Sequence, residues 1–176
     1  MGKTCKKNIV KTKRYESSCG TLLLGSIEGK LCLCDWLVEK HHDHVERRLK
    51  RDLKAEFEEG TSEIIEKTGK ELDEFFAGNR CEFDIPLLFV GTDFQKMVWS
   101  EQLKIPYGTT VTYGEMSKRL MKPKAMRAVA NANGANAISI LVPCHRVIGS
   151  NHSLTGYSGG LAAKQKLLEI EGVLKR

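Results

Sequence analysis

Residues 140–149 read ILVPCHRVIG and place one cysteine between a proline and a histidine at the end of an apolar run. The apolar residues before Pro143 predict a buried strand, because proline cannot donate to a sheet ladder and turns the chain. Cys144 would lie at the mouth of a core, where His145 and Arg146 can lower the pKa of its thiol or accept its proton. The pattern indicates covalent chemistry, with a buried structural cysteine as the alternative from these residues alone.

The length of 176 residues suffices for one domain or two small ones with a substantial core. No apolar stretch approaches the roughly 18 residues that cross a bilayer, and the lysine-rich N-terminus lacks the apolar core of a signal peptide. We therefore expect an intracellular protein with no membrane partner. The six cysteines form no CxxC pair, which argues against a disulfide framework and a structural zinc cluster.

The excess positive charge lies in the C-terminal half of the chain. Residues 1–90 carry 16 Lys and Arg against 17 Asp and Glu, net −1, whereas residues 91–176 carry 12 against 5, net +7. A polyanion docking on the second half would gain from counterion release. Ordinary soluble surfaces reach such charges too, so charge alone leaves nucleic acid open as a partner.

The N-terminal half predicts strands followed by helices. We interpret residues 1–14 as a frayed end, with a localisation signal as the alternative. Residues 20–37 alternate apolar and polar side chains around a Glu28–Gly29 turn, as in a hairpin with one buried face. Residues 41–59, with an apolar residue at every fourth position through Phe57, and residues 61–76 predict two amphipathic helices.

Three histidines, His41, His42 and His44, lie at the start of the first of these helices. Imidazole is a common zinc and copper ligand, so the cluster suggests a metal site. We favour exposed histidines at a helix start, because no partner with ligand spacing repeats nearby.

The C-terminal half is expected to begin after an extended segment or short strand at residues 81–89. Thr92 is a candidate N-cap for a helix with Trp99 as a core anchor. The other inward residues expected there are Phe94, Met97, Val98 and Leu103. A short helix near Tyr113 and a further helix from Pro123, joined by a tight turn, predict a helix-turn-helix.

The helix from Pro123 is rich in alanine around a single Arg127. Small side chains let its backbone approach another surface, which one long cation could enter; the alternative is a core helix whose arginine pairs locally. The loop at residues 153–160 is rich in glycine and hydroxyl groups. A final amphipathic helix is expected over 161–171, with Lys164 and Lys166 exposed. If this helix packs back on the active-site segment, Glu171 could orient the histidine that follows Cys144.

Several motifs follow one another between residues 71 and 171: FFAG, FQKMVW, IPYG, TYGE, RAVANANGAN, ILVPCHRVIG and LTGYSGGLAAKQKLLEIEG. PCHRV with an upstream RAV and a downstream GYSGG is a specific combination. In these motifs the chain resembles the O6-alkylguanine-DNA alkyltransferases, also called methylated-DNA–protein-cysteine methyltransferases.

The resemblance implies an N-terminal α/β domain over 1–90, with a small antiparallel sheet and helices of ribonuclease H-like type. It implies a mostly α, winged-helix-like domain over 91–176 that binds DNA and accepts the alkyl group. The expected reaction is direct, irreversible transfer from O6-alkylguanine, with O4-alkylthymine as a second substrate, to a cysteine in a single turnover with nucleotide flipping. No cofactor is expected. The partner would be double-stranded DNA containing O6-alkylguanine, bound by a monomer in the nucleus of a eukaryote or otherwise in the cytoplasm.

The resemblance also implies roles for individual residues. Cys144 would be the alkyl acceptor, His145 a base acting through a water, and Glu171 the carboxylate that holds the histidine ring. Tyr113 would donate a proton to the departing guanine and crowd the phosphate, and Asn136 would brace the helix-turn-helix against the active-site segment.

Further residues would contact the nucleic acid. Arg127 would fill the vacated base stack from the minor groove, with Met126 beside it on the DNA. Tyr157 and backbone groups of Cys144, Val147 and Ser158 would line the guanine pocket.

Departures from the family pattern bear on substrate range and metal. Ala137 and Ser139 stand where members carry prolines, the second of which packs on bulky substrates. Cys5 matches one ligand of a structural zinc that some members hold, but no other ligand can be placed, so no zinc is predicted. Two other functions stay open: a binding module of the same fold that recognises alkylguanine without transfer, and a thiol hydrolase that turns over.

Overall fold

The computed structural model describes residues 7–175, except for the side chains of residues 39 and 40, and its N-terminal half is built on a four-stranded mixed sheet. The strands are β1 (Asn8–Ser17), β2 (Gly20–Ile27), β3 (Lys30–Trp36) and β4 (Ala55–Glu59). They lie in the order β3-β2-β1-β4, with β4 parallel to β1 and the other neighbours antiparallel.

The predicted hairpin is confirmed as β2 and β3. Glu28 and Gly29 both have positive φ, 49° and 75°, as the turn that matches the twist of a two-residue hairpin requires. The expectation of one buried face is wrong for β3, which is buried along both faces from Leu31 to Trp36. The chain at Leu87 and Ile138 forms bridges to this strand, which covers its edge.

Two predictions in the N-terminal half, the frayed end over residues 1–14 and the helix that continues to residue 59, are wrong. In both places the chain pairs as a strand instead of following its local sequence pattern. Residues 8–14 belong to β1, where Val10 is fully buried, rather than to a frayed end; residues 1–6, with Cys5, lie outside the described residues. The first helix, α1 (Glu39–Leu53), stops at Lys54, whose left-handed φ of 49° closes it. Phe57 therefore lies on β4, paired with β1, although it continues the four-residue apolar spacing.

The next elements agree more closely with expectation. The helix α2 (Glu63–Phe76) begins at Ser62, whose hydroxyl accepts from the Ile65 N–H at 3.2 Å. Residues 81–89 are extended and make a single bridge. Thr92 forms a capping box with Gln95 at the start of α3 (Asp93–Gln102).

The inward face of α3 differs from the prediction. Val98, Trp99 and Gln102 are buried, whereas Met97 and Leu103 are 37% and 46% exposed. The buried stripe packs on α5 (Met126–Gly134), and the other two residues lie off it.

A short pair of helices, α4 (Tyr113–Arg119) and α5, packs together as the helix-turn-helix prediction requires. Pro123 does not begin α5, which starts three residues later; Pro123 lies in the connecting turn. A parallel pair of two-residue strands, β5 (Val111–Thr112) and β6 (Val147–Ile148), precedes the last helix, α6 (Leu161–Ile170).

The segment before Cys144 is buried but is not the predicted strand. Ile140 has a left-handed φ of 73°, and the residues around it make only isolated bridges. This loop joins the two halves of the chain, because Cys34 N donates to Ala137 O and Ser139 N donates to Cys34 O, both at 2.8 Å. Over residues 7–175, none of the helices is both long and apolar enough to cross a bilayer.

Candidate active site

Cys144 begins a single 3₁₀ turn, Cys144–Arg146, and its side chain is only 2% exposed. The Asn136 amide donates to Cys144 Sγ at 3.2 Å and to Val142 O at 3.1 Å. The amide oxygen of Asn136 accepts from Ile138 N at 2.9 Å, which fixes the orientation of the group. The structure thus brings Asn136 and the thiol together between α5 and the active-site turn.

The resting thiol of Cys144 is protonated at neutral pH. Burial raises its pKa to about 11, against the opposing effects of the Asn136 hydrogen bond and the Lys164 charge. The expectation that neighbouring cations would lower this pKa is wrong in sum, because desolvation of the thiolate outweighs them. Nucleophilic attack therefore requires a base that removes the proton.

His145 is placed to be that base. Its ring is fully buried, and its Nε2 is hydrogen-bonded to Glu171 Oε2. Burial lowers the pKa of His145, with the Glu171 carboxylate opposing the shift, so the ring is neutral at pH 7. A carboxylate can only accept, so Nε2 carries the proton and Nδ1 is left as an acceptor. Within the described part of the chain, Nδ1 is buried without a partner.

Glu171 joins this histidine to Arg146. Its Oε1 accepts from Arg146 Nε at 2.6 Å and from Gly108 N at 3.2 Å. Burial would raise the pKa of Glu171, but the bonds to His145 and Arg146 outweigh it and hold the pKa below its usual value. Arg146 also donates to Ile105 O at 2.7 Å. The arginine thus acts on the carboxylate and not, as the sequence suggested, on the thiol.

Lys164 is a site residue that was not predicted from the sequence, because it was expected to be exposed to solvent. It is fully buried instead of exposed, and its Nζ donates to Val147 O at 2.7 Å and Thr155 O at 2.8 Å. Burial lowers the pKa of Lys164 to about 8. The sequence did hold a signal, because Lys164 lies three and four residues before Leu167 and Leu168, on the buried face of α6.

A cavity of about 390 Å³ opens between α5 and the loop that precedes α6. Tyr113, Tyr157 and Ser158 line it, and so do His41, Ala130, Asn131, Asn133, Gly134, Thr155 and Gly156. The Tyr113 hydroxyl accepts from the Asn133 amide at 3.4 Å. Cys144 and Val147, both expected to line the guanine pocket, are not among these residues, and the carbonyl of Val147 accepts from Lys164.

Tyr157 fixes one wall of the cavity against the N-terminal half. Its hydroxyl accepts from Trp36 Nε1 at 3.0 Å, and the two rings meet nearly edge to face, 6.1 Å apart. Gly159 allows this approach, because a Cβ there would lie 2.7 Å from the Trp36 ring.

Arg127 and Met126 occupy the first turn of α5 on its outer side. Both are exposed, whereas Val129, Ala132 and Asn133 form the buried side of the helix. Among residues 7–175, no ion pair involves Arg127, so the alternative of a locally paired core arginine is not what the structure shows.

The three histidines lie in the first two turns of α1, where two of them share one carboxylate. His41 Nε2 and His42 Nδ1 contact the two oxygens of the fully buried Asp35 at 3.0 and 3.3 Å, so the expectation that they are exposed is wrong. His44 is exposed as expected. The described residues contain no group of three or more His, Cys, Asp or Glu that could hold a metal ion.

The chain is similar to proteins of one family over most of its length. A family model described as the DNA-binding domain of 6-O-methylguanine DNA methyltransferase matches residues 93–173. A methylated-DNA–protein-cysteine methyltransferase of Methanosarcina acetivorans is 42% identical over 158 residues, which cover 90% of this chain and 96% of the relative. One of Mycobacterium bovis is 54% identical over 101 residues, covering 57% and 61%.

The solved structures agree with the sequence comparison. The crystal structure of Mycobacterium tuberculosis OGT in complex with DNA superposes with a TM-score of 0.77 at 39% identity, covering 93% of this chain and 92% of that one. A crystal structure of the O6-methylguanine methyltransferase of the same organism superposes with a TM-score of 0.75 at 38% identity over the same shares. This chain therefore belongs to the methylated-DNA–protein-cysteine methyltransferase family.

Proposed function

We propose that this protein repairs DNA by transferring the alkyl group of O6-alkylguanine to Cys144 in one irreversible turnover. The bond from Cys144 Sγ to the alkyl carbon forms as the bond from that carbon to guanine O6 breaks. The observation that carries the proposal is a thiol held by Asn136, followed in the chain by a neutral His145 that is bonded to Glu171. Burial raises the pKa of two residues of the cavity wall, Tyr113 and Tyr157, and both are close enough to Cys144 for its charge to raise their pKa further. No cofactor enters the reaction.

The proton balance assigns the remaining roles. His145 Nδ1, left without a partner, takes the thiol proton through a water, and Glu171 stabilises the imidazolium that results. Tyr113, on the cavity wall, donates a proton to the departing guanine and is reprotonated afterwards. A thioether has no leaving group that these residues can activate, so the acceptor is consumed.

Access to a thiol that is 2% exposed requires the base to leave the helix. Arg127 and Met126, exposed at the start of α5, are suited to enter the minor groove and fill the space that the flipped base leaves. O4-alkylthymine is proposed as a second substrate. The partner is double-stranded DNA, attracted by the net charge of +7 on residues 91–176. We further propose a ribonuclease H-like domain to residue 90, a winged-helix-like domain after it, and a monomer that acts in a eukaryotic nucleus or otherwise in the cytoplasm.

The test is incubation with a duplex oligonucleotide containing O6-methylguanine, followed by mass measurement of the protein and its peptides. One methyl group should appear on the Cys144 peptide, and Cys144→Ser should abolish it. Cys81 is an internal control, because it is exposed and would react first with a non-specific methylating agent. Methyl on the Cys81 peptide, or none on the Cys144 peptide, would show that the proposal is wrong.

The same experiment separates the second candidate function, lesion binding without transfer. The pKa of about 11 for Cys144 favours this reading, because an unactivated thiol would not attack. Tight binding of the lesion with no methylated peptide would support the binding module. A hydrolase would instead be supported by more than one product molecule per protein on an ester or amide substrate.

A further inference from the structure

One wall of the cavity comes from the N-terminal half of the chain. His41, in the first turn of α1, lines the cavity together with residues of α5 and of the loop before α6, and it lies outside the segment that the family model matches. Its side chain is 20% exposed, whereas Cys144 is 2% exposed. His41 thus lies on the side of the cavity that is open to solvent.

Asp35 fixes the orientation of this ring. The carboxylate is fully buried at the end of β3, and its Oδ1 lies 3.0 Å from His41 Nε2 while its Oδ2 contacts His42. Because the carboxylate can only accept, His41 Nε2 carries a proton and donates a hydrogen bond to Asp35. Within the described part of the chain, His41 Nδ1 makes no hydrogen bond, so it is the ring atom available to a ligand.

We propose that His41 binds a phosphate of the nucleotide that enters the cavity, with Asp35 as its positioning residue. The inference rests on the proposed function. Cys144 is buried and does not line the cavity, so the alkylated base must pass inward to reach it. The sugar and phosphates then stay nearer the solvent, where the partly exposed His41 lies. A phosphodiester oxygen only accepts, so the phosphate takes a hydrogen bond from His41 Nδ1 while Asp35 holds the ring through Nε2.

The test compares His41→Ala with a matched control, His44→Ala, on two substrates. His44 lies on the same helix, is exposed and does not line the cavity. With limiting duplex oligonucleotide, His41→Ala should slow methyl transfer by about tenfold, the lower end for loss of a hydrogen bond to a charged group. With the free base O6-methylguanine, which has no phosphate, both variants should react at the wild-type rate.

A second arm removes the charge from the DNA instead of the protein. Methylphosphonates in place of the two phosphates that flank the lesion should slow the wild type more than they slow His41→Ala, because the variant has already lost one of the interactions that the methylphosphonates remove. A wild-type rate for His41→Ala on normal DNA would overturn the inference. An equal loss on the free base would overturn it too, since His41 would then shape the pocket for the base. If the wild type transfers no methyl group from any substrate, the proposed function itself fails.

Discussion

Glu171 is a single buried carboxylate shared by His145 and Arg146. Replacing it by glutamine keeps the shape but removes the charge that stabilises an imidazolium on His145. We expect Glu171→Gln to slow methyl transfer from duplex DNA about 100-fold, at the lower end of the effect of a general base. Single-turnover kinetics with a labelled oligonucleotide measure the loss. The matched control is Glu169→Gln, two residues away, because the carboxylate of Glu169 makes only a solvent-exposed hydrogen bond with Gln165 among the described residues.

The carboxylate of Glu171 also makes the free energy of unfolding depend on pH, and its contribution is lost in acid. The pKa of Glu171 in the folded chain is below its ordinary value of 4.5, so its contribution is complete above that pH and is lost as the pH falls through the folded pKa. Removing one partner of a buried ion pair costs about 3 kcal/mol or more. Urea unfolding should show this difference between wild type and Glu171→Gln at pH 7 and a smaller one at pH 3. An equal difference at both would mean that the charge is not responsible.

Lys164 provides a second test in the alkaline range. Its pKa of about 8 in the folded chain, against 10.5 for an ordinary lysine, means that the unfolded chain binds more protons between these values. The stability of the wild type relative to Lys164→Met should therefore rise from pH 8 to 10.5. Loss of the charge should also raise the pKa of Cys144 and slow its alkylation.

Urea unfolding at pH 7.5 and 9.5 and the rate of methyl transfer at pH 8 measure the two effects of Lys164. Lys166→Met is the control, since Lys166 is exposed on the same helix and, among the described residues, donates only to Ser18 O. A flat difference in stability between the two pH values would contradict the assignment of a lowered pKa to Lys164.

Single residues show where sequence reasoning reached its limit in the site. Cys144, His145, Asn136 and Glu171 could be proposed because motif order placed them, and the structure does bring them together. The partner of Arg146 could not be predicted, because the packing of α6 determines that Glu171 reaches it. The pKa of Cys144 could not be predicted either, because it depends on how fully the thiol is buried. Both are properties of the folded chain that no local spacing encodes.

At the level of elements, α5 carries Arg127 at one end and leads into Asn136 at the other, and two side chains hold that second end. Arg48 Nη2, from α1, donates to Ala135 O at 2.6 Å. Trp99 Nε1, from α3, donates to Ala132 O at 2.8 Å, and the guanidinium of Arg48 lies 5.7 Å from its ring. The position of α5 therefore depends on a helix of the N-terminal half.

We expect Arg48→Met to disturb the C-terminal end of α5. The methionine keeps packing on Trp99 but leaves Ala135 O without its charged donor, which should lower the free energy of unfolding by about 1–3 kcal/mol. Methyl transfer should slow as well, because Asn136 follows Ala135 directly. Arg47→Met, on an exposed neighbour, is the control. A stability loss with an unchanged transfer rate would mean that Arg48 does not position the active site.

Elements also show why part of the fold could not be predicted. Capped helices such as α2 and α3 were predictable, because Ser62 and Thr92 mark their starts locally. Strands β1 and β4 were not, because β4 pairs with β1 across β2, β3 and α1, and β1 is also held by its pairing with β2. The apolar segment before Cys144 has strand composition, but the left-handed Ile140 turns it into a buried loop.

On the scale of the whole molecule, the two halves meet where the loop before α6 packs on β3. Trp36 donates to the Tyr157 hydroxyl, and Gly159 leaves room for the indole ring. The cavity takes His41 from one half and its other walls from the second. We therefore regard the N-terminal half as part of the binding site as well as a support for it.

This contact gives the last prediction, that Gly159→Ala impairs methyl transfer through the interface of the halves. The new Cβ would lie 2.7–2.8 Å from three atoms of the Trp36 ring, so the loop that carries Tyr157 and Ser158 must move. We expect slower transfer from both duplex DNA and free O6-methylguanine, and altered tryptophan fluorescence. Trp36→Phe removes part of the clash, so adding it to Gly159→Ala should recover some of the lost rate. Additive losses in the double variant would show that the two residues act independently and that the contact does not shape the cavity.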